Sequence, residues 1–240
     1  MPLDVERFKC HRMKEGVKPI TVNVQLRHLR ASFNEAVRLR LIPESPFSGF
    51  KFLPVDPNEA AFVSESDLRR LITVIEDLEF RNLVLVTFVM AFRRGEVINL
   101  RWADIDFNTG YVHIRSHGKF RTKGGKKRSI PLNGWVAKYL LQKPRIGEYV
   151  FSQPDGRPFV GDPVTRRFKR KVRKAGLDDA IHFHSLRHGG LSWMSAQGMP
   201  LAFVQRIAGH STLRITQAYT HVEDNSLHAA MSALVAPSFN

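Results

Sequence analysis

Two different spacings of apolar residues divide this 240-residue chain, and they constrain its fold more than any other feature. Most segments show helical spacing, with apolar residues three and four positions apart, and residues 68–75 show it most clearly. Strand-like alternation occurs at residues 111–115, where Val112 and Ile114 share one face, and again at residues 128–132. The two patterns together predict a mainly α protein with a small antiparallel β-sheet, an α+β fold.

Helix-capping and helix-breaking residues separate the helical segments. Predicted helices cover residues 24–41, 64–75, 83–92, 95–100, 162–175, 185–197, 201–208, 212–218 and 226–234. Pro54 and Pro57 lie in a stretch whose apolar residues show neither helical nor strand-like spacing. We therefore predict a linker at residues 56–63, between a helical domain at residues 1–55 and a larger domain at residues 64–240.

Composition excludes several classes of protein. Hydrophobic residues make up 43% of the chain and charged residues 25%, which is ordinary for a globular protein and not for a disordered or fibrous one. No apolar run approaches the roughly 20 residues that cross a bilayer, and Met1–Gly16 shows no secretory signal. The single cysteine, Cys10, cannot form an internal disulfide. We expect no membrane association and a cytoplasmic location.

The net charge of +15 is concentrated in one part of the chain. Residues 111–175 hold 18 basic and 3 acidic side chains, whereas the remaining segments are close to neutral. Such a local excess indicates a polyanionic partner, with nucleic acid as the first candidate. An anionic membrane surface or a solvated basic face are the alternatives.

Two of the four segments that could carry chemistry are basic. In the first, Arg93 stands three residues before Glu96, and an ordinary helical ion pair would explain the spacing. In the second, residues 121–128, Lys123 precedes a Gly-Gly pair at the tip of the predicted hairpin. Taken alone, that segment is better explained as a solvated basic loop.

The other two segments contain histidines and a tyrosine. His184 and Arg187 are spaced to share a helix face, and His182 and His188 flank them. A metal site on these histidines is a weak alternative, because nearby acidic ligands are few. The last segment contains His210, a polar residue near a helix end, and then Tyr219, which by itself would be a core or surface tyrosine.

Taken together, these residues resemble the tyrosine recombinase (phage integrase) family. The family's residues occur here in the same order: Arg93, Lys123, His184, Arg187, His210 and Tyr219. The flanking segments agree as well, among them Leu100-Arg101-Trp102-x-Asp104-Ile105-Asp106 and Ile130-Pro131-Leu132. One position departs from the family, because Met90-Ala91 stands where Thr-Gly is common.

The resemblance implies a particular domain organisation. Residues 64–240 would form the tyrosine recombinase catalytic fold. Residues 1–55 would form part of a helical, SAM-like core-binding domain that contacts DNA, shorter than is usual in the family, with residues 21–42 as its last helix pair. The family forms a tetramer in a synapse on DNA, which implies a homo-oligomer. A C-terminal helix carrying Leu227, Met231 and Leu234 would either dock on a neighbouring subunit, as the resemblance implies, or cover its own core.

The resemblance also implies a reaction that needs neither a metal nor a high-energy cofactor. Tyr219 would attack a DNA phosphodiester and form a 3′-phosphotyrosine. Arg93 and Arg187 would bind the phosphate oxygens in the transition state, since a guanidinium is always charged and binds two oxygens at once. Lys123 would protonate the leaving 5′-oxygen.

The histidines and Glu96 would assist these groups. His184 would accept the phenolic proton or hold the phosphate, and His210 would donate a hydrogen bond to it. His188 would pack against its neighbours, and Glu96 would orient an arginine.

Phosphate contacts would come from the basic stretch of the chain. The predicted DNA-binding residues are Arg121, Lys126, Lys127, Arg128, Arg166, Arg167, Lys169 and Arg170. The prediction is thus a site-specific DNA recombinase that acts on double-stranded DNA at the nucleoid. A topoisomerase of type IB, a silent DNA-binding remnant and, more distantly, a metal-dependent nuclease remain as alternatives.

Overall fold

The structure is a computed structural model that describes residues 2–55, 61–118, 120–122, 125 and 127–210. By its internal contacts the chain separates into two compact units, residues 1–59 and residues 60–240. Among the residues described, no helix is both long and apolar enough to pass through a membrane. Each unit is described by itself below.

The first unit is built on two helices, α1 (Pro2–Lys14) and α2 (Pro19–Arg38). Its small core contains Val5, Val22, Leu26 and Phe47. The buried Asn23 side chain fixes the segment that follows α2, because its amide donates to the carbonyl of Leu53 and accepts from the same residue's N–H, each at 2.9 Å. A buried amide satisfied in this way holds the chain at one position.

The sequence prediction for this unit was correct in type and wrong in detail. Residues 21–42 form one helix and a following bend rather than a helix pair, and the pair is instead α1 with α2. The apolar spacing that predicted the helix does not mark its buried face throughout, because Leu29 and Phe33 are exposed.

The second unit contains seven α-helices, one 3₁₀ turn and three strands within its described residues. The helices are α3 (Glu65–Thr73), α4 (Leu78–Val89), α5 (Arg94–Ile98), α6 (Gly134–Gln142), α7 (Gly161–Lys174), α8 (Phe183–Ala196) and α9 (Leu201–Ala208). The strands are β1 (Ile105–Asp106), β2 (Tyr111–Ile114) and β3 (Arg128–Pro131), and the 3₁₀ turn is Trp102–Asp104. The predicted mainly α fold with a small antiparallel sheet is confirmed.

The sheet is antiparallel in the order β1-β2-β3. Val112 pairs with Ile130 and Ile114 pairs with Arg128, so these four residues lie on the same face of the sheet. The apolar members of this face join one large core with side chains from α3, α4, α6, α7 and α8. Val63 is also part of that core, and its N–H donates to the carbonyl of Ser185 at 3.2 Å.

Local sequence signals explain where several helices begin and how closely two of them approach. Ser64 caps α3 by accepting from the N–H of Asp67, and the Asp67 carboxylate accepts in return from the N–H of Ser64. Helix α8 lies directly against α4, because a Cβ at Gly190 would overlap the carbonyl oxygen of Phe88. This close approach places residues 184–188 beside the end of α4, where the site described next begins.

Candidate active site

Arg93 is the residue that caps α5, and its side chain is held in place from two directions. Its Nη1 donates to Glu96 Oε1 at 2.8 Å, and its backbone N–H donates to Oε2 of the same carboxylate at 2.8 Å. Its Nη2 donates to the carbonyl of Ala208 at 3.1 Å, at the end of α9. The ion pair with Glu96 expected from sequence is present, and Arg93 also reaches across to a helix more than 100 residues further along the chain.

Arg187 lies on α8 with 2% of its surface exposed. Its Nη1 donates to the carbonyl of Ala91 at 2.6 Å and its Nη2 donates to the carbonyl of Ala208 at 2.5 Å. Arg93 and Arg187 therefore share one acceptor, the Ala208 oxygen, which brings the two guanidinium groups together. The departure from the family pattern falls here, since Ala91 adopts a φ of 49°, a value that glycine adopts without strain.

His210 lies two residues after Ala208, the shared acceptor. Gly209, with a φ of 62°, ends α9 in the left-handed conformation and turns the chain so that His210 Nε2 lies 3.4 Å from Arg187 Nη2. Burial and the positive charges of Arg187 and Arg93 lower the pKa of His210 to about 4. The imidazole is neutral at pH 7 as a result, and its Nε2 can accept from the arginine.

His184 lies one turn before His188 on α8, and the two rings meet edge to face with centroids 4.8 Å apart. Reduced hydration among the surrounding protein atoms, together with His188 and the nearby arginines, lowers the pKa of His184 to about 4. Its ring still reaches solvent, unlike the buried Arg187 on the same helix. Two neutral imidazoles thus accompany two charged guanidinium groups.

Glu96 is a buried carboxylate that two arginines share. Besides its bonds from Arg93, it accepts from Nη1 and Nη2 of Arg128, each at 2.8 Å. Burial favours the protonated acid, but the hydrogen bonds and charges of Arg128 and Arg93 outweigh that effect and lower the pKa of Glu96 to about 2. Glu96 is therefore ionised at neutral pH.

Arg128, which was predicted to bind DNA, is bonded to other protein groups in this structure. Both terminal nitrogens of Arg128 are bonded to Glu96, its Nε donates to the carbonyl of Ile207 at 3.1 Å, and its side chain is 13% exposed. The strand alternation already contained this signal, since Arg128 stands two residues before the buried Ile130 and shares its face.

Asp104 holds the base of the predicted basic hairpin. The nearly buried carboxylate accepts from Arg115 Nε at 2.7 Å and lies 2.8 Å from His117 Nε2. Beyond His117, the side chain of Phe120 covers Gly95, and the buried Thr122 donates its N–H to Ser116 Oγ at 3.1 Å. From sequence, Asp104 was recognised only as part of a segment that flanks the candidate site, without a role of its own.

Four of the six predicted catalytic residues lie within the described part of the chain. Arg93, Arg187 and His210 converge on the Ala208 region, and His184 lies on the same helix as Arg187. Lys123 and Tyr219 lie outside the described residues, as do Lys126 and the predicted helices 212–218 and 226–234.

The predicted DNA-binding side chains of α7 divide into two groups. Arg167 donates to Asp77 at 2.7 Å and Lys169 lies 3.1 Å from Asp179, so both are paired with carboxylates. Arg166 and Arg170 are exposed, and within the described part of the chain neither forms a hydrogen bond or an ion pair. Arg121 and Lys127 in the hairpin are also exposed.

The described residues contain no cluster of three or more His, Cys, Asp or Glu side chains arranged to hold a metal ion.

The chain matches the model of a known protein family. The model of the phage integrase family matches residues 61–226, more than two thirds of the chain. The chain belongs to the phage integrase family. The predicted family, and with it the predicted class of a tyrosine-type DNA recombinase, is therefore confirmed.

Integrase relatives among characterised proteins match nearly the whole chain. The tyrosine recombinase XerC of Bacillus licheniformis is 30% identical, over 93% of this chain and 77% of that protein. The tyrosine recombinase XerA of Pyrococcus furiosus is 29% identical, over 95% of this chain and 79% of that protein.

Solved integrase structures share the fold. The Tn1549 transposon integrase in complex with a circular intermediate DNA superposes with a TM-score of 0.80 at 21% identity, over 97% of this chain and 85% of that chain. A lambda integrase tetramer bound to a Holliday junction superposes with a TM-score of 0.73 at 20% identity, over 88% of this chain and 64% of that chain. These likenesses confirm the predicted catalytic fold of the integrase.

Proposed function

We propose that this integrase cleaves and rejoins DNA strands at specific sites through a 3′-phosphotyrosine on Tyr219, and that Arg93, Lys123, His184, Arg187 and His210 assist. The observation that carries the proposal is the convergence of Arg93 and Arg187 on the Ala208 carbonyl, with His210 Nε2 beside them. An acceptor shared by two guanidinium groups marks a point where an oxygen atom lies between two positive charges. A phosphate oxygen near this point would be stabilised in the same way.

The chemistry follows from these groups. Attack by the Tyr219 oxygen on phosphorus forms the Tyr–O–P bond and breaks the bond to the 5′-oxygen of the next nucleotide. Arg93 and Arg187 stabilise the charge on the non-bridging oxygens, and neutral His184 can accept the phenolic proton. Lys123 returns a proton to the leaving 5′-oxygen, and the reverse sequence joins a different strand. The tyrosine is the carrier of the phosphoryl group, so no energy-rich cofactor is required.

The partner we propose is double-stranded DNA. Support comes from the basic stretch, residues 111–175, and from the exposed Arg166 and Arg170 on α7. The Tn1549 and lambda integrase structures contain DNA. The helices α1 and α2 of residues 1–55 would contact the same duplex as a core-binding domain. We place the protein's action at the nucleoid, in the cytoplasm.

We propose a homotetramer as the active assembly. The lambda integrase structure is a tetramer on a Holliday junction. An apolar groove of about 450 Å³ lies between α9, the end of α4 and β3, and Met90, Met199 and Phe203 line it. This groove would receive the C-terminal segment of a second copy, whose Leu227, Met231 and Leu234 are spaced for one helix face.

A suicide substrate tests the reaction. The protein is incubated in EDTA with duplexes nicked near candidate recombination sites, and a covalent protein–DNA band is expected that Tyr219→Phe abolishes. Arg187→Ala should also lose the band while keeping most DNA binding. A band that persists in Tyr219→Phe, or cleavage without an adduct that needs added metal, would contradict the proposal. Binding of a recovered cognate site with no adduct would instead favour a silent DNA-binding protein.

A further inference from the structure

We infer that Arg128 is a positioning residue of the integrase site: it holds the Glu96 carboxylate against Arg93 and, from the same guanidinium, holds the end of α9 that supplies the Ala208 carbonyl and His210. The inference rests on the proposed function, because it assigns Arg128 to the strand-cleavage step rather than to DNA binding.

The hydrogen bonds of Arg128 use all three of its nitrogen atoms. Nη1 and Nη2 bond the two oxygens of Glu96, and Nε bonds the carbonyl of Ile207. Each oxygen of Glu96 in turn accepts one bond from Arg93, through Nη1 and through the backbone N–H. A guanidinium fixes its nitrogens in one plane, so these contacts determine the direction of the carboxylate.

The same three bonds join elements that are distant in sequence. Arg128 begins β3, Glu96 lies in α5, and Ile207 is the next-to-last residue of α9. The residue after Ile207 is Ala208, whose oxygen both Arg93 and Arg187 contact. Without Arg128, the Glu96 carboxylate that pairs with Arg93 and the Ala208 carbonyl would therefore both be held less firmly.

Gly209 shows how closely Arg128 lies against the turn that orients His210. A Cβ at Gly209 would be 3.0 Å from Arg128 Cδ and 3.2 Å from its Nε. The turn and the arginine side chain therefore pack against each other, and the position of His210 depends on this contact.

Two plainer roles do not fit these contacts. A DNA-binding arginine would be expected to expose its guanidinium, and that of Arg128 is bonded on every nitrogen. An ion pair that served stability alone would need no third bond to Ile207, which comes immediately before the Ala208 acceptor and three residues before His210.

The first test compares strand cleavage in variants of the full chain. Arg128→Met should reduce the single-turnover rate of adduct formation by about 100-fold, the cost of a small misplacement of catalytic groups, with DNA affinity close to wild type. Arg128→Lys keeps the charge but offers one nitrogen in place of three, so its rate should lie between that of the wild type and that of Arg128→Met. Arg69→Met is the matched control, since it removes an exposed arginine that pairs with Glu65, and its rate should equal wild type.

The second test needs no DNA and no activity. Within the described part of the chain, the His210 imidazole is influenced by the charged or titratable side chains of Arg187, Arg93, His188 and Arg128. Proton NMR should give a His210 pKa near 4 in the wild type, with the signal assigned through His210→Gln. In Arg128→Lys the pKa should rise toward 6.5, because the charge remains while the turn loses its bonds and gains water.

The outcomes separate the inference from the proposed function. If Arg128→Lys leaves the His210 pKa unchanged, or if Arg128→Met cleaves as fast as Arg69→Met, Arg128 is not a positioning residue. If Arg128→Met instead loses DNA affinity and keeps its cleavage rate at saturating DNA, it is a docking residue. A wild type that forms no adduct on its cognate site overturns the proposed function, while the His210 titration still decides this inference.

Discussion

At the scale of single residues, the integrase site combines charged arginines with uncharged histidines. Desolvation and the neighbouring cations lower the pKa of His184 and of His210 to about 4, and the pKa of His188 is lowered as well. A neutral imidazole can accept a proton from a tyrosine, whereas an imidazolium cannot. In the proposed reaction the arginines would therefore have two effects: they would bind phosphate and, together with burial, keep the imidazoles available as bases.

These lowered pKa values predict how stability depends on pH. The unfolded chain binds protons at these histidines near pH 6.5, but the folded protein does so only near pH 4. Protons therefore favour the unfolded state in this window, and the free energy of unfolding should fall as the pH drops from 6.5 to 5.

Urea denaturation at pH 7, 6 and 5 measures this effect. The double variant His184→Gln/His210→Gln should show a weaker pH dependence than the wild type over this range. His28→Gln is a suitable control, because His28 lies on α2 in the other unit. An equal pH dependence in wild type and double variant would contradict the pKa values.

The sequence predicted the side chains of this site better than their partners. Arg93, Arg187 and His210 were found by their order and spacing, and the structure brings them together. The acceptor that Arg93 and Arg187 share is the backbone carbonyl of Ala208, and nothing in the identity of an alanine indicates such a role. Arg128 was predicted to bind DNA as part of an exposed basic segment, whereas the alternation of β3 places it on the same face as the buried Ile130.

At the scale of elements, the contact between α4 and α8 determines where Arg187 lies. Helix α8 carries Gly189 and Gly190 directly after the His184–His188 turn, and both face backbone carbonyls, of Val63 and Phe88 respectively. The absence of a side chain at these positions lets the helix approach closely enough for Arg187 to reach the Ala91 carbonyl.

Gly190→Ala should therefore destabilise the second unit by about 3 kcal/mol, because the new methyl group overlaps a backbone oxygen that cannot move independently of its helix. Gly134→Ala, at the start of α6 where a Cβ would meet nothing within 4 Å, should change stability by less than about 0.5 kcal/mol. Urea unfolding followed by tryptophan fluorescence is the measurement, since all three tryptophans lie in this unit. Equal stability of the two variants would contradict the packing argument.

Several elements with clear local signals were predicted with nearly their observed bounds. Helix α3 has its capping box and α9 its apolar spacing, and the predicted α9 has the observed bounds. The predicted β2 and β3 were within one residue of their observed ends. Helices α1 and α6 were missed, and so was β1, whose two residues are strand because β2 pairs with them.

At the scale of the whole molecule, the charge excess does not act as one surface. Within α7, Arg167 and Lys169 are paired with Asp77 and Asp179, so the protein's own carboxylates neutralise part of the positive charge. Arg166 and Arg170, one turn apart on the same face, remain available to a partner.

This division predicts the salt dependence of DNA binding. In Arg166→Ala/Arg170→Ala the slope of log K against log salt should decrease by about 2, close to 0.9 for each lost phosphate contact. Arg167→Ala/Lys169→Ala removes the same formal charge and should change the slope less. Fluorescence anisotropy with a labelled duplex at several salt concentrations measures both slopes, and equal decreases would show that pairing with carboxylates does not matter.

The shared acceptor at Ala208 also has a consequence for tolerance to mutation. The Ala208 oxygen that Arg93 and Arg187 share, and the Ala91 oxygen that also holds Arg187, belong to the main chain, so no substitution at Ala91 or Ala208 can delete them. The site should instead be sensitive to substitution at residues that determine the path of the backbone, above all Gly209. Any side chain there would contact Arg128, and the residue would have to keep an unfavourable positive φ. In a library of random variants selected for recombination, substitutions of Gly209 should therefore be rare among the active variants, whereas small replacements of Ala208 should be tolerated.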